Sequence, residues 1–99
     1  MNDPYEPELI RKLLGHNDTI MSLSFNSSTE QLLSCSNDSH LYLWNLKNKS
    51  AKPLKLKGHS AAISEVAFAP SGSYMVSASL DHTVRIWTNS MSEKYPSVA

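Results

Sequence analysis

Cysteine is nearly absent: Cys35 is the only one in 99 residues. A single thiol closes no internal disulfide, so the chain is not a disulfide-stapled scaffold, and a reducing compartment suits it. An excess of one charge is absent too, since nine basic residues balance nine acidic ones. Like charges run no further than a pair such as Arg11-Lys12. There is thus no basic footprint for nucleic acid or an anionic membrane, and partners are expected to be proteins recognised by shape and local polar contacts. No apolar run approaches the roughly 18 residues of a membrane span. The opening Met-Asn-Asp-Pro-Tyr-Glu-Pro-Glu lacks the basic and apolar regions of a secretory signal. Cytoplasm or cytoskeleton is the expected location, and the sequons at Asn17, Asn26, Asn37 and Asn48 then reflect loop composition rather than glycans. Helical periodicity is missing throughout, which leaves an all-β chain.

What is present is a repeat. Gly58 to Trp87 reads GHSAAISEVAFAPSGSYMVSASLDHTVRIW, and the same pattern has already run from Gly15 to Trp44. Gly15, His16, Phe25, Asp38 and Trp44 each recur 43 residues later, as Gly58, His59, Phe68, Asp81 and Trp87. One constant offset without insertion marks an internal repeat.

Each copy parses into the same short strands. Ile20 to Phe25 and Ile63 to Phe68 form strand a. Their apolar residues carry one extra residue between the first two positions, which predicts a β-bulge. Asn26-Ser27-Ser28 and Pro70-Ser71-Gly72 are turns. Strand b spans Gln31 to Ser36 and Tyr74 to Ser79, where small Cys35 and Ala78 suit close packing on both sides. Strand c spans Leu41 to Asn45 and Val84 to Thr88, with Val84 and Ile86 on one face and Arg85 and Trp87 on the other. Ala51 to Lys57 reads as a fourth strand, d, at an edge that Pro53 tolerates. Glu8 to Leu14 precedes the first Gly-His as that strand precedes the second.

A Gly-His opening, a Ser-x-Ser-x-Asp turn and a Trp six residues after the Asp together resemble the WD40 repeat. The resemblance covers almost the whole chain from about Leu9. Asn45 and Thr88 follow the two Trp where that family often has Asp. The resemblance implies four-stranded blades of a β-propeller and divides the chain into a lead, residues 1–13, and two repeats, residues 14–56 and 57–99. It implies that Glu8 to Leu14 is the outer strand that closes a ring by completing its last blade. Propellers close with roughly four to eight blades. Two repeats leave two apolar faces bare, so the chain is expected to be part of a larger propeller, or to need further blades or self-association to close a ring.

Each repeat also carries a Ser, a His and an Asp with its Trp: His16, Ser34, Asp38 and Trp44, then His59, Ser77, Asp81 and Trp87. A Ser, a His and an Asp invite a hydrolase reading. The set occurs twice, whereas an active site is single, and no G-x-S-x-G elbow is present. The better reading is a buried network in which Asp meets His, His meets Ser, and Ser takes the Trp N–H; these are the positions of the WD40 structural tetrad. No catalytic residue, metal or cofactor is expected, because no Cys/His pair has zinc spacing and His40 and His82 occupy different repeat positions. Tyr42, Tyr74 and the two Trp read as packing rather than as a base-stacking platform. In WD40 blades the d–a and b–c loops carry contacts, which singles out Asp18, Asn37, Ala61 and Leu80 as candidate partner contacts.

The L-L-G-H, Q-L-L-S-C-S-N-D-S and A-P-S-G-S-Y-M-V-S-A-S-L-D-H-T-V-R-I-W stretches are further similar to the first two repeats of the centriolar WD40 proteins named for the proteome of the centriole. That resemblance implies a non-enzymatic scaffold at centriole and basal body, with tubulin or centriolar proteins as partners. An adaptor of another class, a ubiquitin-ligase substrate receptor or a signalling scaffold, is the alternative.

Overall fold

The computed structural model describes residues 5–89. Seven strands form two antiparallel sheets, the first in the order β1-β2-β3-β4 and the second β5-β6-β7. β1 is Ile20–Asn26, β2 Gln31–Ser36, β3 Leu41–Asn45, β4 Leu54–Leu56, β5 Ile63–Phe68, β6 Tyr74–Ser79 and β7 Val84–Thr88. There is no helix among the described residues. Strands b and c lie where alternation and turn residues put them. The fourth strand that the resemblance implies for the second repeat would lie outside the described residues.

The register shifts in β1 between Ile20 and Ser22, and in β5 between Ile63 and Glu65. These are the expected bulges, at equivalent positions of the two repeats. The β2–β3 and β6–β7 turns are equivalent as well. Ser39 and His82 both adopt positive φ, 72° and 73°. Their neighbours hold them there. The hydroxyls of Ser36 and Ser79 accept from the N–H of Asp38 and Asp81, and each Asp carboxylate accepts from the N–H two residues on.

Strand d is shorter than the sequence suggests, Leu54–Leu56 instead of Ala51 to Lys57. Ala51 N–H is spent in the turn on Asn48 C=O, and Pro53 has no N–H, so pairing with β3 begins only after the proline. Residues 8–14 belong to no sheet. They stand 43 residues ahead of β4's segment and, like it, would need the third strand of a preceding blade as partner.

The core lies between the two sheets. Leu33, Cys35, Leu41 and Leu43 of the first face Ile63, Val66 and Met75 of the second. Offset by 43 residues, the equivalent positions on the outer faces are exposed or half-buried. Ile20 is 51% exposed against 0% for Ile63, and Ile86 is 70% exposed against 7% for Leu43. One apolar sequence pattern therefore meets two fates, set only by whether a second sheet lies over it.

Cys35 sits in this seam, its thiol against Ile63 C=O at 3.5 Å. Burial pushes the thiol up to about 11. Since the thiolate is the nucleophile, iodoacetamide should label the folded chain at least tenfold more slowly than the denatured chain. Labelling at the denatured rate would mean that the sheets do not stay together.

Candidate functional site

The loops that join the sheets' strands at one end are built on the polar set of each repeat. In the second repeat, Trp87 donates its indole N–H to Ser77 Oγ at 3.0 Å, and Ser77 is 2.7 Å from His59 Nε2. His59 Nδ1 then lies 2.8 Å from Asp81 Oδ2. Asp81 also accepts from Ser60 N–H, so it ties the loop before β5 to the turn before β7. In the first repeat, Trp44 donates to Ser34 Oγ at 2.8 Å, and Ser34 is 2.7 Å from His16 Nε2. There the last link is long: His16 Nδ1 stands 3.5 Å from Asp38 Oδ2 and has no hydrogen bond. Both serines are buried and both hold a Trp donor, which leaves neither hydroxyl free to meet a substrate.

Position 40 and its equivalent, 83, explain the difference between the repeats. Thr83 donates its hydroxyl to Asp81 Oδ1 and reaches His59 Nδ1 at 3.2 Å. His40 stands in its place in the first repeat, 3.6 Å from Asp38, with its own Nδ1 buried and unpaired. His40→Thr should close the first network and raise stability by about 0.5–1.5 kcal/mol, the value of one net hydrogen bond. Urea titration of the two chains checks this.

The carboxylates feel these donors. The Thr83 hydroxyl does most to hold Asp81 well below the usual carboxylate range; burial opposes it, and His59 and the amides of Ser60 and Thr83 add to the lowering. For Asp38 burial pushes upward, but the amides of His40 and Asn17, with His16, outweigh it and leave the group lowered. A lowered carboxylate binds fewer protons in the folded state than in the unfolded one. Its stabilisation is complete above the ordinary carboxylate range and is lost as pH falls below about 4. Asp81→Asn should therefore give a less stable chain with a flatter acid limb, read from denaturation midpoints between neutral pH and pH 3.

The Gly-His signature also has a local cause. A Cβ on Gly15 would stand 2.7 Å from Tyr42 Cε2, and one on Gly58 would stand 3.0 Å from Arg85 Nη1. Tyr42 stacks on His16 with ring centroids 4.3 Å apart and donates to Gly15 C=O. Glycine lets the strand c side chain close over the histidine.

The candidate contact residues occupy these tied loops in pairs. Asn37 N–H donates to Thr19 C=O, which brings Asn37 beside the loop of Asp18, and both are exposed. Leu80 N–H donates to Ala62 C=O, beside half-buried Ala61. Leu80 is 65% exposed, an apolar side chain on a loop fixed at both ends.

Sequence reading missed several residues that set this geometry. Thr83 is one, and for Tyr42, read as packing, the specific stacking on His16 is another. Gln31 and Asn89 are another pair, clasped by reciprocal amide bonds of 2.7 and 3.3 Å in the buried seam. Ser22 and Ser24 are the last, accepting from the N–H of Val66 and Phe68 across the seam. Nothing in the local pattern marks these residues; only the equal spacing of Thr83 and His40 in the two repeats offered a signal.

The chain matches the WD40 family, described as WD domain, G-beta repeat, over residues 7–45 and 51–88. It belongs to that family. The two sheets are adjacent WD40 blades, and WD40 domains are in general protein-interaction modules. Among curated proteins, the chain is 48% identical over 44 residues to POC1 centriolar protein homolog A of Xenopus tropicalis, a match covering 44% of this chain and 10% of the relative. It is 46% identical over 44 residues to human Striatin, covering 43% of this chain and 6% of the relative. Human Striatin-3 is 42% identical over 48 residues, covering 48% of this chain and 6% of that protein. The WD40 chain thus spans a tenth or less of the length of these relatives.

Proposed function

We propose that these blades form a non-enzymatic scaffold module whose tied loops dock centriolar proteins or tubulin at centrioles and basal bodies. The observation that carries the reading is the similarity to POC1 centriolar protein homolog A, at 48% identity across one repeat length. Hydrogen-bonded loops that present Asp18, Asn37 and Leu80 to solvent support a binding surface rather than a reaction centre. The duplicated His, Ser and Asp set supports the same view, since in each copy the Ser hydroxyl is engaged by both His and Trp. The tetrad residues act in this reading as the frame that fixes the loops.

The test is localisation of the tagged gene product in ciliated cells. Enrichment at centrioles and basal bodies, reduced by Leu80→Glu without loss of expression, is the expected result. A diffuse cytoplasmic signal overturns the reading.

A second reading rests on the comparable similarity to Striatin, at 46% identity over 44 residues. On it the chain is an adaptor of another class, a signalling scaffold or a ubiquitin-ligase substrate receptor. Affinity purification separates the two: recovery of kinase, phosphatase or ligase subunits without tubulin or centriolar proteins favours the second.

A further inference from the structure

We propose that the outer rim of the first blade, made by the β3–β4 connection and β4, binds an extended, acidic polypeptide segment of a partner protein. The inference goes beyond the scaffold reading and does not depend on where in the cell the chain acts.

The balanced charge of the whole chain conceals a local segregation. Of the nine basic residues, Lys47, Lys49, Lys52, Lys55 and Lys57 fall within residues 47–57, and no Asp or Glu occurs between Asp38 and Glu65. No two of these lysines adjoin, so no like-charge run reveals them. All of them are exposed. The ion pairs among the described residues all join a His to an Asp, so none of these lysines is neutralised within the chain. Arg11 donates to Lys49 C=O at 3.3 Å, which adds a further cation to the rim. The repeat itself does not call for lysine here: 43 residues on, the positions of Lys47, Lys49 and Lys52 hold Ser90, Ser92 and Tyr95.

The backbone that carries these charges is tied down. The Asn45 side chain accepts from Lys47 N–H at 3.0 Å, and the Asn48 side chain accepts from both the N–H and the hydroxyl of Ser50. β4 pairs with β3, and Lys55 Nζ lies 6.0 Å from the ring centroid of its cross-strand partner Tyr42. Tyr42 is itself buried and stacked on His16. A ligand therefore meets cations already gathered on one edge. Gathering them raises the local potential, and an anionic partner relieves the repulsion.

Three features select a polypeptide as that partner. β4 ends its sheet and has one strand neighbour among the described residues, so its outer edge offers backbone groups with which an extended chain can pair. Leu54 is 58% exposed beside Lys55, an apolar foothold between charges. Lysines meet flexible carboxylates as point charges, without the fixed fork that arginine brings to phosphate. A nucleic acid would want a stacking surface, and the ring beside Lys55 is the buried Tyr42. A lipid surface would find too little apolar area around Leu54 for an interfacial anchor. Lysines on an edge strand also guard it against pairing with ordinary strands; an acidic strand turns that guard into an attraction.

The experiment is fluorescence anisotropy of a labelled peptide of alternating Glu and Thr, titrated with the chain in about 0.1 M salt, where exposed charges more than about 10 Å apart are screened. Circular dichroism checks the fold of each variant. The peptide should bind, and Lys49→Gln combined with Lys52→Gln should weaken it by at least about fivefold. Arg85→Glu makes the same change in net charge on the second blade and should alter binding by less than about twofold. A peptide of alternating Lys and Thr should not bind. Failure of the Glu peptide to bind overturns the proposal, as does an equal loss in Arg85→Glu. Tighter binding of a thymidine oligonucleotide or of phosphatidylserine vesicles through the same lysines also overturns it. If the lysine pair unfolds the chain, Lys57→Gln, beyond the end of β4, decides by comparison with Arg85→Gln. Peptide binding with a diffuse signal in cells sinks the scaffold reading alone. Centriolar enrichment of a chain that does not bind the peptide sinks this proposal alone.

Discussion

Leu41→Ala is expected to cost about 2–5 kcal/mol, the range for emptying a fully buried leucine site. Leu41 is 0% exposed in the seam between the blades. Small domains are stable by only about 5–15 kcal/mol, so this single change could remove the cooperative transition altogether. The control is internal. Val84 holds the same position 43 residues on, but lies on the bare face of the second blade. Val84→Ala should change stability by no more than about 0.5 kcal/mol. Urea midpoints for the two variants give the comparison directly. Equal losses would mean that intrinsic strand propensity, not burial between blades, governs both sites. A small loss at Leu41 would mean that the seam is not packed.

The second large effect is at Ser77. Its hydroxyl accepts from Trp87 Nε1–H and meets His59 Nε2, so Ser77→Ala leaves two polar groups without partners inside the blade. An orphaned buried donor or acceptor costs about 1–3 kcal/mol, which puts the combined loss at about 2–6 kcal/mol. Ser34→Ala breaks the equivalent contacts in the first blade. Its cost should be smaller, because His16 Nδ1 already lacks a partner and the network there does less to hold its loop. A double-mutant cycle between Ser77→Ala and Trp87→Phe isolates the shared bond. A coupling of roughly 1 kcal/mol is expected, and none would mean that the tryptophan is held by packing alone.

Much of this fold was legible because the chain states it twice. β2 and β3, and β6 and β7, were bounded correctly by alternation and turn residues, and the paired spacing of Ile20, Leu23 and Phe25 with Ile63, Val66 and Phe68 exposed the bulges. The failures have separate causes. Strand d contracted to Leu54–Leu56 because Pro53 and the Asn48 turn removed its first amides from pairing. Residues 8–14 lie outside any sheet because a strand needs an edge as well as a sequence. The Gln31–Asn89 clasp and the Ser22 and Ser24 bonds connect different positions of the two repeats, so comparing equivalent residues could not reveal them. The tighter second network turned on Thr83 against His40, one side chain at one aligned position.

The serine bonds across the seam make two kinds of opening distinguishable in time. Amides within β2 are released only when a blade's own pairing breaks. Val66 and Phe68 instead give their N–H groups to Ser22 and Ser24 of the neighbouring blade. These two protons are freed whenever the blades part, even if each meander stays intact. Strand pairing within a blade closes short loops, whereas joining the blades closes longer ones, so parting is the lower-energy excursion. Deuterium should therefore enter at Val66 and Phe68 well before it enters β2, and the lag between them is a clock for how long a lone blade survives.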